Sequence, residues 1–330
     1  MKSIDHYTKL LLKNKDLQNP NSFEELGYIF FGPLLFNFFI WLKAEIKNDE
    51  LLLFNSREGY FLKDIYELFR IKYNLPTGVY FKTSRKISSI ASLFTKEDIY
   101  KTFDSHRYSG NLSNLIKDRF GIECEKNDYV DSLKEIPNID EYVESILNNA
   151  KRVRKDYAKY INNIIVNHNN IVMIDSGYQG TTQYNLQKAF GLYVRGRYMN
   201  YKGNKNLLDV VGLYDFNKTN FQKNIIFFES IFTDRVGSYI DISGTNFINE
   251  KIDEDNHHFE KKVKIINGIK LFVNDMFNIN FDEKSISYEY SDYLFDLMCK
   301  KDFIKNEKLF DIFFHDNYYV RDSVKKIVRE

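Results

Sequence analysis

The stretch LLLFNSREGYFLKDIYELF, residues 51–69, decides the fold because it joins three structural signals in one run. Its first four residues form a short continuous apolar run, which is typical of a strand buried on both faces of a parallel sheet. A polar turn with one glycine follows, and the apolar residues after it recur at helical spacing. A proline and a glycine then interrupt the chain before residues 79–81, which are again strand-like. This order predicts the βαβ unit of an open parallel sheet.

A second stretch, IVMIDSGYQGTTQ at residues 171–183, repeats the order of apolar strand, glycine-containing turn and helix. We expect its strand to cover residues 171–174 and its helix to follow the turn. A long helix over 139–167 precedes this strand, and two further strands are expected at 192–200 and 208–214. The sequence therefore predicts an α/β fold with an open, mainly parallel sheet.

The flanking regions are expected to be helical. The apolar segment LGYIFFGPLLFNFFIWL, residues 26–42, predicts a buried core helix and not a membrane span, because 17 residues is the lower limit for spanning and Gly, Pro and Asn interrupt it. From about residue 257 the pattern is again helical. We expect an N-terminal helical arm at 1–25, a catalytic domain at 26–250 and a helical C-terminal appendage at 251–330.

Composition excludes several functional classes. Hydrophobic residues make up 43% and charged residues 28% of the 330, which is typical of a globular protein. A formal net charge of +1 gives no basic field for a nucleic-acid backbone, so no nucleic-acid partner is expected. Cys124 and Cys299 stand far apart without a Cys/His cluster, which argues against a zinc site or a disulfide framework. The N-terminus lacks the apolar core of a secretory signal, so we expect a cytoplasmic protein, or one peripheral to the inner face of the membrane, and not an integral membrane protein.

Both strand-to-helix turns suit a phosphate group. In open α/β sheets, ligands bind at the carboxyl ends of the strands, where helix N-termini offer unpaired N–H groups and a partial positive charge. In the first turn, Ser56, Arg57 and Gly59 are placed to receive a diphosphate, because an arginine presents a planar fork to phosphate oxygens. The alternative for Arg57 and Glu58 is a surface ion pair.

The second turn is the more specific of the two. Gly177 and Gly180 let the backbone come close to an anion, and the hydroxyls of Thr181 and Thr182 are placed to hold a terminal phosphate. Asp175 would then face the sugar. The alternative is an ordinary glycine-rich turn between a strand and a helix.

This second turn resembles the phosphoribosyl pyrophosphate loop of type I phosphoribosyltransferases, in which an apolar strand leads through two acidic residues into a Thr-Gly-x-Thr turn. Gly180 and Thr182 match the Gly-x-Thr, and Asp175 matches the second acidic place. The sequence departs at the first acidic place, which is Ile174, and at the threonine before the glycine, which is Gln179. In that family a pyrophosphate loop follows an earlier strand, as the first turn does here. The resemblance implies a sheet of phosphoribosyltransferase type.

Four segments together point to a narrower group of proteins: LGYIFFGPLLFNFFIWL, LLLFNSREGYFLKDIY, YFKTSRK and IDSGYQGTTQ. The resemblance covers roughly residues 26–245. The combination of these segments is similar to the transferase part of bacterial polysaccharide-biosynthesis ribofuranosyltransferases, which often carry a haloacid-dehalogenase-type phosphatase domain. Such a phosphatase needs an Asp-x-Asp motif, and here Gly177 stands two residues after Asp175. The resemblance therefore implies that a phosphatase would be a separate chain.

The resemblance implies a glycosyltransferase that moves 5-phosphoribofuranose from phosphoribosyl pyrophosphate to a glycan or lipid-linked glycan acceptor in surface polysaccharide biosynthesis, and releases diphosphate. Mg²⁺ would enter with the diphosphate donor, so no metal site built by the protein alone is expected. Asp175 and Arg57 would be the catalytic residues. The substrate-binding residues would be Ser56, Glu58, Gly59, Tyr60, Lys82, Arg85, Ser176, Gly177, Tyr178, Gln179, Gly180, Thr181 and Thr182. The acceptor side would be formed by Glu229, Arg235 and Ser238.

Two other functions fit the same residues. A nucleobase phosphoribosyltransferase would share both turns but needs a flat, aromatic-lined pocket for the base. A non-catalytic protein that binds a sugar phosphate on the same fold is favoured by the absence of an acidic residue at Ile174 and opposed by the presence of Arg57.

Overall fold

A computed structural model describes residues 2–309 and 312, apart from 106–108, 127, 132–136, 205, 251–255, 285 and 301. Its first half contains α1 (Ile4–Leu12), α2 (Phe23–Leu26), a π-helical turn (Gly27–Phe31), α3 (Gly32–Glu45), β1 (Glu50–Asn55), α4 (Gly59–Tyr73), β2 (Gly78–Phe81), α5 (Arg85–Ala91), α6 (Lys96–Ser105), β3 (Ser109–Asn111), α7 (Leu112–Phe120) and β4 (Tyr129–Asp131). Its second half contains α8 (Val143–Ile165), β5 (Asn170–Tyr178), α9 (Thr181–Phe190), β6 (Val194–Tyr201), β7 (Val210–Asp215), α10 (Ile225–Phe232), β8 (Tyr239–Ser243), β9 (Asn246–Asn249), α11 (Asn256–Phe277) and α12 (Glu289–Cys299).

The central sheet has five strands in the order β2-β1-β5-β6-β7, and every neighbouring pair is parallel. Numbered along the chain within this sheet, the order is 2-1-3-4-5, so the winding direction reverses between β1 and β5. In open α/β sheets, the crevice at the carboxyl ends of the strands at such a reversal is the usual ligand site. The predicted α/β fold with a parallel sheet is confirmed.

The sheet separates two hydrophobic cores. Leu52 and Phe54 of β1 point into the core that α3, α4, α10, α11 and α12 complete. Leu51 and Leu53 point to the opposite core, which is formed with α5, α7, α8 and α9. Because successive side chains of a strand face opposite sides, the continuous apolar run seen in the sequence is what a sheet covered on both faces requires.

The apolar N-terminal segment lies in the first of these cores. Phe23–Glu45 is the one helical stretch in the described part of the chain that is long and apolar enough to cross a membrane, and 83% of its most apolar window is buried against the protein. Helix α11 packs closely on it, because Gly27 and Gly268 bring the two backbones together. A Cβ at Gly27 would overlap the carbonyl of Ile265, and one at Gly268 would overlap the carbonyl of Glu24. The segment is therefore the buried core helix that its interruptions predict.

The strand at the second motif is longer than expected. The sequence predicted a strand over 171–174 and a loop from Asp175 onward, whereas β5 continues to Tyr178 and pairs with β6 between Ile171 and Tyr178. Gly177 explains the difference: its φ is 141°, and a Cβ there would overlap the carbonyl of Asn200 on β6. The glycine therefore allows two strands to pair closely, and the prediction of a continuous loop over 175–182 was wrong.

Candidate functional site

The crevice between β1 and β5 contains a paired amide and carboxylate. Asn55 is the last residue of β1, and its Nδ2 donates a hydrogen bond of 2.6 Å to Oδ2 of Asp175. Strand β5 pairs with β1 only as far as Ile174, so Asp175 stands just beyond the end of β1. Asn55 is 4% exposed, and its Oδ1 has no hydrogen-bond partner in the described part of the chain. Two adjacent polar side chains therefore lie at the place where this topology binds ligands.

The turn between β1 and α4 is held by Ser56. Its backbone N–H donates to the carbonyl of Phe81 at 2.9 Å, and its Oγ donates to the carbonyl of Thr83 while it accepts the Thr83 N–H at 3.1 Å. Ser56 therefore fastens the end of β1 to the loop after β2. With its hydroxyl engaged in this way, Ser56 contributes to the site mainly by fixing the turn.

Arg57 occupies a backbone conformation that is uncommon for a residue with a side chain. Its φ is 76°, in the left-handed region, which a non-glycine residue enters at a cost of about 1–3 kcal/mol. Its backbone N–H donates to the hydroxyl of Tyr80 at 3.3 Å, and its Nη2 lies 3.4 Å from Oγ1 of Thr233. Strained residues of this kind cluster at ligand sites, where surrounding contacts hold them in place.

The arginine and its neighbour Glu58 are not a surface ion pair. Nη2 of Arg57 lies 3.8 Å from Oε1 of Glu58, and the two side chains are 11% and 12% exposed. The sequence left a solvated pair open as an alternative for these residues. Their burial argues against it.

Three carboxyl groups and two guanidinium groups lie near enough to one another here to shift the carboxyl pKa values, and together they are the charged cluster of the site. Burial raises the pKa of Glu58 above its ordinary value, against the opposing effect of Arg57. Burial also raises the pKa of Asp175, and the hydrogen bond from Asn55 opposes the rise. In Glu229 of α10, burial and the charge of Glu58 raise the pKa to about 8.

The cationic members of this cluster come from two loops. Arg57 lowers the pKa values of Glu58 and Glu229, and Arg85 lowers those of all three carboxyl groups. Arg85 is the first residue of α5, and the Ser84 hydroxyl caps that helix by accepting the Ile87 N–H at 3.0 Å. Of the predicted residues, Arg57 and Glu58 are in direct contact, and Arg85 and Asp175 are linked to them through these electrostatic effects, as is Glu229.

The turn after β5 is short. Only Gln179 and Gly180 lie between the strand and α9, which begins at Thr181. Gly180 has a φ of 65° and no side chain caps the helix, so the first-turn N–H groups of α9 are not used by a capping side chain. A Cβ at Gly180 would lie 2.5 Å from Cδ1 of Leu207. The left-handed φ thus favours glycine here, whether or not an anion binds beside it, whereas the Leu207 side chain could shift to admit a Cβ.

The other predicted residues lie around this edge in different settings. Ser176 is buried with its Oγ 3.4 Å from Oδ1 of Asp175. Lys82 is exposed and its Nζ lies 5.8 Å from the ring centre of Phe247, toward β9. Tyr60 is 42% exposed, at the start of α4. A Cβ at Gly59 would lie 2.6 Å from the carbonyl carbon of Phe54, so Gly59 lets α4 begin against β1.

On the side assigned to the acceptor, the three predicted residues differ from one another. The guanidinium carbon of Arg235 lies 4.7 Å from the ring centre of Phe259, and Arg235 is exposed. Ser238 accepts the Glu250 N–H through its backbone carbonyl at 2.9 Å. Glu229 is the residue of this side that belongs to the charged cluster, whose charges shift its pKa.

Four residues of the site were not predicted: Asn55, Tyr80, Thr233 and Asp234. Asn55 carried a signal in the sequence, because a polar residue directly after an apolar strand must lie at its carboxyl end. Asp234 carried none, since it meets Tyr80 across 154 positions of sequence. No metal-binding group of three or more His, Cys, Asp or Glu side chains occurs among the described residues.

Comparison of the sequence with protein-family models and with curated proteins gives no match.

Proposed function

We propose that this protein is a glycosyltransferase that moves 5-phosphoribofuranose from phosphoribosyl pyrophosphate to a sugar acceptor and releases diphosphate. The observation that carries the proposal is the buried, hydrogen-bonded pair of Asn55 and Asp175 at the carboxyl edge where the sheet order reverses, with Arg57 in the turn that follows β1. This is the place where open α/β sheets bind phosphorylated ligands. Both turns resemble phosphoribosyltransferase loops and occur in the same order along the chain. This resemblance is the reason for proposing phosphoribosyl pyrophosphate as the donor.

The donor's two charged ends have separate partners in this proposal. Arg57 and Arg85 approach the cluster from the loops after β1 and β2, so they receive the diphosphate. The N-terminus of α9, with its uncapped first turn, receives the 5-phosphate at Thr181 and Thr182. The two anions are then bound on either side of the crevice, with the ribose between them.

Asp175 lies between these partners and is assigned to the ribose. The amide of Asn55 holds one carboxylate oxygen at 2.6 Å, and the Ser176 hydroxyl lies 3.4 Å from the other, so the carboxylate is held in place at the end of β1. In the reaction, the bond from C1 to the diphosphate oxygen breaks and a bond to the acceptor oxygen forms, through an oxocarbenium-like state. The acceptor hydroxyl loses a proton, and Asp175 is the carboxylate assigned to take it.

Mg²⁺ would accompany the donor. Mg²⁺ in such sites is bound through one or two protein oxygens together with phosphate oxygens and water. The unpartnered Oδ1 of Asn55 and the neighbouring carboxylate of Asp175 are oxygen ligands of the kind that this requires. When bound, the ion neutralises charge on the departing diphosphate.

The experiment incubates the protein with phosphoribosyl pyrophosphate, Mg²⁺ and a panel of glycan and lipid-linked glycan acceptors, with free nucleobases in a parallel panel. The expected result is released diphosphate and a glycan product that is heavier by one pentose phosphate, both absent from Asp175→Asn. Product from a nucleobase would replace the glycan proposal by a nucleobase phosphoribosyltransferase. Donor binding without diphosphate release in either panel would identify a sugar-phosphate-binding protein.

A further inference from the structure

The segment that follows α10 closes on the turn that follows β1. Thr233 lies 3.4 Å from the guanidinium of Arg57, and Asp234 accepts a 2.8 Å hydrogen bond from the hydroxyl of Tyr80. The same hydroxyl accepts the backbone N–H of Arg57 at 3.3 Å. Thr233 therefore contacts the side chain of Arg57 directly, and the next residue, Asp234, is linked to the Arg57 backbone through the Tyr80 hydroxyl.

The Tyr80 hydroxyl is the donor of one of these hydrogen bonds and the acceptor of the other. It donates to Oδ2 of Asp234 and accepts the Arg57 N–H on a lone pair of its oxygen, and the hydroxyl of Tyr239 lies beside it. Asp234 is 6% exposed, and its Oδ1 accepts the Arg235 N–H at 2.6 Å, so the carboxylate itself cannot easily turn away. The chain Asp234–Tyr80–Arg57 thus supports the left-handed backbone that Arg57 adopts.

We propose that Tyr80 and Asp234 are positioning residues that hold Arg57 in its left-handed conformation and so aim its guanidinium at the carboxylate cluster. The catalytic consequence of this arrangement rests on the proposed function, whereas the geometric part does not. Tyr80 reaches Arg57 from β2 and Asp234 from the segment after α10. The guanidinium of Arg57 is therefore positioned only when the turn after β1, strand β2 and the segment after α10 are all correctly packed.

Replacement of Tyr80 by phenylalanine removes only the hydroxyl and provides the primary test. Tyr66→Phe is the matched control, because the buried Tyr66 hydroxyl donates to the carbonyl of Pro76 at 2.7 Å without contact to Arg57. Tyr66→Phe loses one tyrosine hydrogen bond and Tyr80→Phe loses two, so a general loss of stability should be somewhat larger in Tyr80→Phe.

The first measurement is site-resolved hydrogen exchange of the Arg57 amide. In Tyr80→Phe we expect this amide to exchange more than about tenfold faster, while the Ser56 amide, which donates to Phe81 at 2.9 Å, keeps its rate. In Tyr66→Phe neither rate should change. An Arg57 amide that exchanges at the wild-type rate in Tyr80→Phe would overturn the proposal, and this result does not depend on what the protein binds.

The second measurement is kinetic and applies once the wild type transfers the pentose phosphate. Tyr80→Phe is expected to lower kcat about tenfold or more, with a smaller change in KM for the donor, because the cation is misplaced rather than lost. Combined with Arg57→Lys, it should lower kcat no further than Arg57→Lys alone, within about twofold, because both changes act on one group. Multiplicative losses would overturn the positioning role. Asp234→Ala repeats the comparison from the other end of the chain of contacts.

An inactive wild type would reject the proposed function and leave the exchange experiment to decide the positioning of Arg57.

Discussion

Replacing Glu229 by glutamine should make the protein more stable at alkaline pH. Burial and the charge of Glu58 raise the pKa of Glu229 from 4.5 to about 8, so the folded protein keeps a proton that the unfolded chain has released. Between these two values the native state binds more protons than the unfolded state, and stability therefore falls as pH rises. The stabilising effect of the proton is complete below pH 4.5 and is lost above pH 8.

The size of the effect follows from the same values. A pKa that rises from 4.5 to about 8 corresponds to about 5 kcal/mol between the two protonation states, at 1.36 kcal/mol for each tenfold change. Glu58 carries part of the same repulsion, so the removal of one charge relieves it only in part. We expect Glu229→Gln to be more stable than the wild type by roughly 2–4 kcal/mol at pH 9.

The assay is urea unfolding of both proteins at pH 4, 7 and 9. Glutamine is close in shape to the protonated glutamic acid, so the free energies of unfolding should agree at pH 4 and separate steadily as pH rises. Equal dependence on pH in the two proteins would refute the reasoning, because it would mean that Glu229 titrates alike in the folded and unfolded states.

Other consequences concern separate parts of the molecule. Arg57→Lys keeps the charge but loses the planar fork, so turnover should fall about a hundredfold while the urea midpoint stays constant; unchanged turnover would remove Arg57 from catalysis. Arg197→Met should cost roughly 2–3 kcal/mol of stability, measured by urea unfolding, with no loss of turnover, because the 2.8 Å pair from Arg197 to Asp209 lies at the amino ends of the strands. Gly268→Ala should lower the free energy of unfolding by about 1–3 kcal/mol or more, because the new Cβ overlaps the carbonyl of Glu24; a neutral result would contradict the close packing of α11.

The sequence predicted the central fold because its strands are buried on both faces. Leu51 and Leu53 fill one core and Leu52 and Phe54 the other, which is why the strand appears in the sequence as an unbroken apolar run bounded by a turn. The helices after both motifs also followed from local signals. The order of strand, turn and helix also indicated where the carboxyl ends of the parallel strands lie, and it placed Arg57 at that edge of the sheet.

The remaining features depend on contacts that a local pattern does not contain. The length of β5 is set by Gly177 against the carbonyl of Asn200, a cross-strand contact. A glycine in a polar run also suits a loop, and the sequence analysis chose that interpretation. Asp234 joins the site through Tyr80, and the sequence analysis singled out its neighbour Arg235 but not Asp234 itself. Helix α10 itself is short, and its role in carrying Glu229 to the crevice appears only when the layers are assembled.

The central claim is that the crevice between β1 and β5 binds phosphoribosyl pyrophosphate, and the melting temperature tests it most directly. A ligand that binds only the native state stabilises it, by about 2.7 kcal/mol at a hundred times its Kd. With millimolar donor and Mg²⁺ we expect the wild type to melt several degrees higher, and Asp175→Asn and Arg57→Lys to shift much less. Diphosphate alone and ribose 5-phosphate alone should each give a smaller rise than the intact donor. A folded wild type whose melting temperature does not change at millimolar donor would contradict the account.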